Sequence, residues 1–179
     1  MRRRALMTAL PLAAFAATRL SPARAQGILG LIPGTGVGAN EFVQLASISD
    51  NFEIQSGQIV LARSQHPQIR EFAQRMVEQH TTMSTTLQGM PEASTRQPAT
   101  LDEKHSNMLV LLRQQEDVDM LNRYYVQQQI EAHEEALAGF EAYASGGEVP
   151  ALKAYAQRFA PMIREHLQMA RALQAPQAG

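Results

Sequence analysis

No cysteine occurs among the 179 residues. That absence excludes disulfides, thiolate metal ligands, a cysteine nucleophile and the lipidated cysteine of a lipoprotein anchor. Long apolar runs are scarce as well. Beyond residue 25 the longest is "MLVLL" at 108–112, far short of the ~20 residues a spanning helix needs. Alternating apolar and polar segments of barrel length are missing, which speaks against a transmembrane β-barrel. The chain also lacks a Ser/His/Asp order, a glycine loop able to cradle phosphate, and any strand to support one. Nothing in it points positively to an enzyme.

What is present first is an export signal. "MRRR" is a basic n-region, "ALMTALPLAAFAAT" a short apolar segment, and "ARA" before Gln26 has the small-x-small form of a signal-peptidase site. Residues 1–25 therefore read as a signal peptide. General secretion is the default route and the twin-arginine route the alternative, with the periplasm or the outside as destination. Cleavage would take five arginines and no acids from the chain. Lys+Arg falls from 16 to 11 against 17 acids, a mature charge of −6 with His neutral. That balance argues against nucleic acid as a partner, and the mature chain is expected to be soluble, without stable membrane insertion.

Residues 26–38, "QGILGLIPGTGVG", form a Gly-rich arm without periodicity. The remainder to 174 reads as one all-α domain, and 175–179 as a tail. A first helix is expected over 39–65 and a second from Pro67, a favoured first-turn proline, to about Gly89. "MPEASTRQPAT" reads as a turn-rich connector. Thr100 and Glu103 then suggest a capping box for a short helix to about Arg113. A long helix follows over about 117–144, "SGGEVP" breaks it, and the last runs from Pro150 to about Leu173 with Pro161 inside, where a kink is expected. The fold class is a ferritin-like four-helix bundle with a short extra helix in the middle connection.

The apolar stripes carry the chemistry. Ile69, Phe72, Met76, His80, Met83 and Leu87 share one face of the second helix; Val126, Ile130, His133, Leu137 and Phe140 one face of the third long helix; Leu152, Tyr155, Phe159, Met162, His166, Met169 and Leu173 one face of the last. A histidine holds a core position in each. The first helix offers Phe42, Ala46 and Val60 with Glu53 between them, and Gly57 one turn on, where another helix can come close. At ~1.5 Å per residue, Glu53 and His80 lie level, roughly 20 Å from their shared turn, and His133 and His166 lie within about a turn of each other. His66 and His105 stand at helix ends and are expected to be solvated. Tyr124 and Tyr125 are adjacent, so one at most faces the core, and "EDVD" at 116–119 supplies first-turn acids.

"FEIQSGQ" with Glu53 and Gly57, "VEQH" after "EFAQRM", "YYVQQQIEAH" ending at His133, and "APMIREHLQMA" with Pro161 and His166 together resemble the bacterial domain of unknown function 4142 family over roughly 40–173. The resemblance implies an exported, ferritin-like helical bundle and brings no catalytic assignment. The outer-membrane label carried by that family does not suit a chain with neither barrel segments nor a lipid anchor.

Ferroxidase chemistry does not follow from that likeness. A di-iron carboxylate site takes Glu-x-x-His from two helices, and no such motif occurs; "EQH", "EAH" and "EH" turn their glutamates away from the histidines. The residues permit instead a mononuclear site of Glu53, His80, His133 and His166, with copper or zinc as suited metals. Met76, Met83, Met162 and Met169, one turn either side of the histidines, are candidate soft ligands that would favour Cu(I), and equally ordinary gap-fillers of a core. Two functions stay open: binding of a metal or small ligand at this cluster, or a structural or stress-related envelope role in which the cluster is only a polar network, acting through surface contacts with protein partners or as a homo-oligomer. The export reading predicts that protein recovered from the periplasm begins at Gln26. N-terminal sequencing or intact mass decides this, and a chain retaining Met1 would remove it.

Overall fold

The computed structural model describes residues 37–96 and 101–174, and all regular structure among them is helical. The elements are α1 (Ala39–Arg63), α2 (Pro67–Gln88), α3 (Pro91–Ser94), α4 (Glu103–Gln114), α5 (Val118–Gly146) and α6 (Pro150–Gln174). The expected signal peptide, most of the Gly-rich arm, Thr100 and the tail lie outside the described residues.

Local sequence accounts for the boundaries. Pro67 opens α2 at its first position, where its missing N–H would have no intrahelical acceptor. Asp117 caps α5 by accepting from Met120 N at 2.8 Å. Arg70 donates to the carbonyls of Leu61 and Ser64 at 2.7 and 2.8 Å, satisfying acceptors left over where α1 ends. One expectation is corrected. The cap of α4 is Asp102, whose carboxylate accepts from His105 N at 2.8 Å, rather than a box opened from Thr100. The turn-rich connector also holds the four-residue α3, too short to leave a periodic signal.

Four long helices pack side by side, with α1 against α2, α5 against α6, and α1–α5 and α2–α6 contacts closing the ring. The start of α1, the end of α2, the end of α5 and the start of α6 share one end of the molecule. There Phe42 stacks on Tyr143 with centroids 4.2 Å apart, and Phe140, Tyr155, Phe159, Met83 and Leu87 complete an apolar layer. A second layer at the far end joins Val60, Ile69, Phe72, Met76, Leu121, Tyr125 and Val126, with Leu112 of α4. α2 therefore finishes at the first end and α5 begins at the second. The intervening chain crosses the length of the molecule, laying α4 over α1 and α5, where Met108 and Leu109 meet Phe52 and Ala132. Arg63, ending α1, ties down this crossover by donating to the carbonyls of Arg113, Gln115 and Glu116. Among the described residues no helix is long and apolar enough to cross a membrane.

Helices α1 and α2 approach closely at Gly57, as the missing side chain suggested. A Cβ there would lie 2.8 Å from Val77 Cγ2 and 3.0 Å from the Ala73 carbonyl oxygen. Neither neighbour is the free end of a long side chain. Overpacking costs ~1–3 kcal/mol, against roughly 1 kcal/mol gained from the helix preference of alanine. Gly57→Ala is expected to lower the unfolding free energy by about 1 kcal/mol in urea titrations, and a stabilised variant would show the contact to be looser than described.

Candidate functional site

Between the two apolar layers lies a polar waist to which all four long helices contribute. α1 supplies Asp50, Glu53 and Ser56, α2 supplies His80, α5 supplies Gln129 and His133, and α6 supplies His166, every one of them buried to within 1% of complete. The mid-helix positions are why they meet: in antiparallel neighbours, residues equally far from a shared turn come level. The rings of His80, His133 and His166 form a triangle with centroids 5.4–5.7 Å apart. One ring nitrogen of each lies within 4.8 Å of the other two.

The outer nitrogen of every ring is engaged. His133 donates from Nδ1 to the Gln129 carbonyl at 2.8 Å, which leaves Nε2 as its lone-pair atom. His166 Nε2 donates to Gln79 Oε1, leaving Nδ1. His80 Nδ1 lies 2.8 Å from Asp50 Oδ1. The atoms without a hydrogen-bond partner are His80 Nε2, His133 Nε2 and His166 Nδ1, one per ring. Buried polar atoms are nearly always paired, because each orphan costs about 1–3 kcal/mol. Three on three touching rings is a concentration that calls for an occupant.

Glu53 is brought to the cluster but to the back of it. Its Oε1 stands 3.4 Å from His133 Nδ1, the engaged nitrogen, and the triad of converging donor atoms contains histidines alone among the described residues. Neither carboxylate oxygen of Glu53 makes a well-formed hydrogen bond, and Tyr125 Oη and Gln129 Oε1 are also unpartnered. Gln129 Nε2 donates to Ser56 Oγ at 3.2 Å.

Burial dominates the electrostatics. It holds His80 and His133 down at about 3 and His166 at about 2, with the neighbouring imidazoles pushing His133 and His166 the same way. It also raises Asp50 and Glu53 well above the usual carboxylate range; the Gln129 amide partly offsets this for Glu53, and the Asp50 charge adds to it. The waist is thus uncharged by preference, with imidazoles free to act as neutral donors.

The four methionines divide between the apolar layers. Met83 is in the first with Met162 packed against it, and Met76 in the second with Met169 against it. Met76 and Met83 are fully buried, whereas Met162 and Met169 are half-buried. The buried face of α6 runs instead through Phe159, Ile163, His166, Leu167 and Ala170. His66 is exposed as expected. His105 is a correction: it is buried, its Nδ1 2.6 Å from Asp102 Oδ1 and its ring edge-on to Phe52 at 5.2 Å. The short α4 lies flat on α1 and α5, so its first turn faces inward. Of the adjacent tyrosines Tyr125 is buried and Tyr124 half-buried.

Three residues that hydrogen-bond the imidazoles escaped the sequence reading. Asp50 precedes Glu53 by three residues and so shares its face, a signal that was available. Gln129 lies one turn before His133, and its backbone carbonyl does the work. Gln79 adjoins His80 and reaches across to α6, which only the packing of α2 on α6 reveals.

The fold and the waist define an all-helical protein with a buried three-histidine cluster. The chain belongs to the family described as Domain of unknown function (DUF4142), whose profile matches residues 34–173. No curated protein and no solved structure gives a significant match.

These environments fix the sign of the pH dependence. With folded pKa values held below the unfolded value of about 6.5, the histidines favour the unfolded state increasingly as pH falls from about 6.5 toward 3. Asp50 and Glu53, raised in the folded state, stabilise at low pH and lose that contribution as pH rises past the unfolded value of about 4 toward their folded values. The histidines are the more numerous, so urea unfolding of the metal-free protein is expected to show stability falling as pH drops from about 6.5 toward 3. Stability that stays level or rises as pH drops over that range would contradict neutral, buried imidazoles.

Proposed function

We propose that this is an exported, ferritin-like four-helix protein that binds one transition-metal ion at His80, His133 and His166. The carrying observation is the set of three unpartnered ring nitrogens on three rings whose donor atoms converge within 4.8 Å. Neutral imidazole lone pairs facing one another repel unless they share a cation or a proton donor. Bonds of about 2.0–2.1 Å to a tetrahedral ion would set the nitrogens roughly 3.3 Å apart, within reach of small side-chain rotations. The outer bonds to Asp50, the Gln129 carbonyl and Gln79 are the supports that ligating histidines ordinarily have, fixing tautomer and ring orientation.

Imidazole donors suit zinc, cobalt, nickel and copper(II). Placement of the methionines in the apolar layers supports these over copper(I). The antiparallel neighbours joined by one long crossover support the ferritin-like assignment, and the "ARA" leader supports export to the periplasm or beyond. No reaction is assigned to the ion.

Titration of the metal-free mature protein with Zn(II), Co(II) and Cu(II) tests the site. One equivalent is expected to bind, and free ion at a hundred times Kd should add ~2.7 kcal/mol of stability. His80→Ala, His133→Ala and His166→Ala should each abolish the tight equivalent. Absence of binding to the folded wild type, with the variants merely less stable, would make the cluster a polar network that fixes the core.

A further inference from the structure

Resting on that reading, we infer that the bound ion keeps one coordination position for an exogenous oxygen ligand, a water or hydroxide, instead of taking all four ligands from the chain. The converging set is three histidines only. Glu53, the nearest candidate for a fourth ligand, is committed to the wrong side of its neighbour. Its Oε1 stands 3.4 Å from His133 Nδ1, and the nitrogen left for a metal on that ring is Nε2, across the imidazole. Asp50 is placed likewise, with Oδ1 2.8 Å from His80 Nδ1 while Nε2 is the free atom. To ligate, Asp50 would have to abandon the ring it supports, and Glu53 would have to turn away from the Nδ1 side of His133. The methionine sulfurs that could substitute sit in the apolar layers.

A three-imidazole set with a free fourth position is the arrangement by which proteins hold a metal-bound water, whereas closed structural sites fill all four positions from the chain. The surroundings suit an oxygen ligand. Glu53 Oε2, Gln129 Oε1 and Tyr125 Oη, all on fully buried side chains, have no hydrogen-bond partner. Acceptors of this kind match the protons of a coordinated water, and the Tyr125 hydroxyl can donate as well as accept. A bound water gives the ion its fourth bond without moving either carboxylate.

The experiment uses the full mature chain loaded with Cu(II) in water enriched in a magnetically active oxygen isotope, so that access after loading is not at issue. Pulsed electron paramagnetic resonance then counts the nuclei on the ion. The expected result is three imidazole nitrogens and one labelled, solvent-derived oxygen, retained in Glu53→Gln. Three nitrogens without labelled oxygen coupling in the wild-type chain would overturn the inference. Failure of the wild-type chain to bind any ion would instead remove the metal reading itself, a result distinguishable because it appears before any spectrum is taken.

Discussion

Burying three imidazoles and two carboxyls at one height is the constraint around which the rest of this protein is arranged. No single helix could hold them, because groups of this kind need partners in place of the water they lose. Each long helix contributes at least one side chain, and each imidazole is tied to another helix or another turn: His80 to Asp50, His166 to Gln79, His133 to Gln129. Helix lengths, the tight α1–α2 turn and the close approach at Gly57 all serve to bring these positions level.

The sequence made the helices and the main ligand candidates legible for one physical reason. Long amphipathic helices display a 3.6-residue period, and a histidine within an apolar stripe is as conspicuous as a leucine there. His80, His133 and His166 were visible on these grounds, and the rise per residue predicted their level meeting. The buried stripe of α6 runs one position beyond Met162 and Met169, through Ile163 and Ala170, and methionine satisfies the apolar pattern as well as either.

Other features depend on contacts that no periodicity encodes. The orientation of Glu53 toward Nδ1 of His133 is set by rotamers and by Ser56 and Gln129 around it. Gln79 belongs to the side of α2 that meets α6, beyond the stripe proper. A capped first turn is usually exposed, yet α4 lies on Phe52 and His105 is buried beneath it. In each case the hydrogen-bonding or packing partner comes from a helix distant in sequence.

The waist also divides the apolar interior into two bodies. Phe42, Tyr143 and Phe159 lie in one, Val60, Phe72 and Tyr125 in the other, with the polar layer between them. The hydrophobic effect alone gives such halves no direct grip on one another. Their mechanical continuity passes along the four helical rods and through whatever the imidazoles hold. An ion held by all three imidazoles would therefore do more than fill a site: it would join two separately buried cores through a third connection beside the helical rods and the hydrogen bonds of the waist.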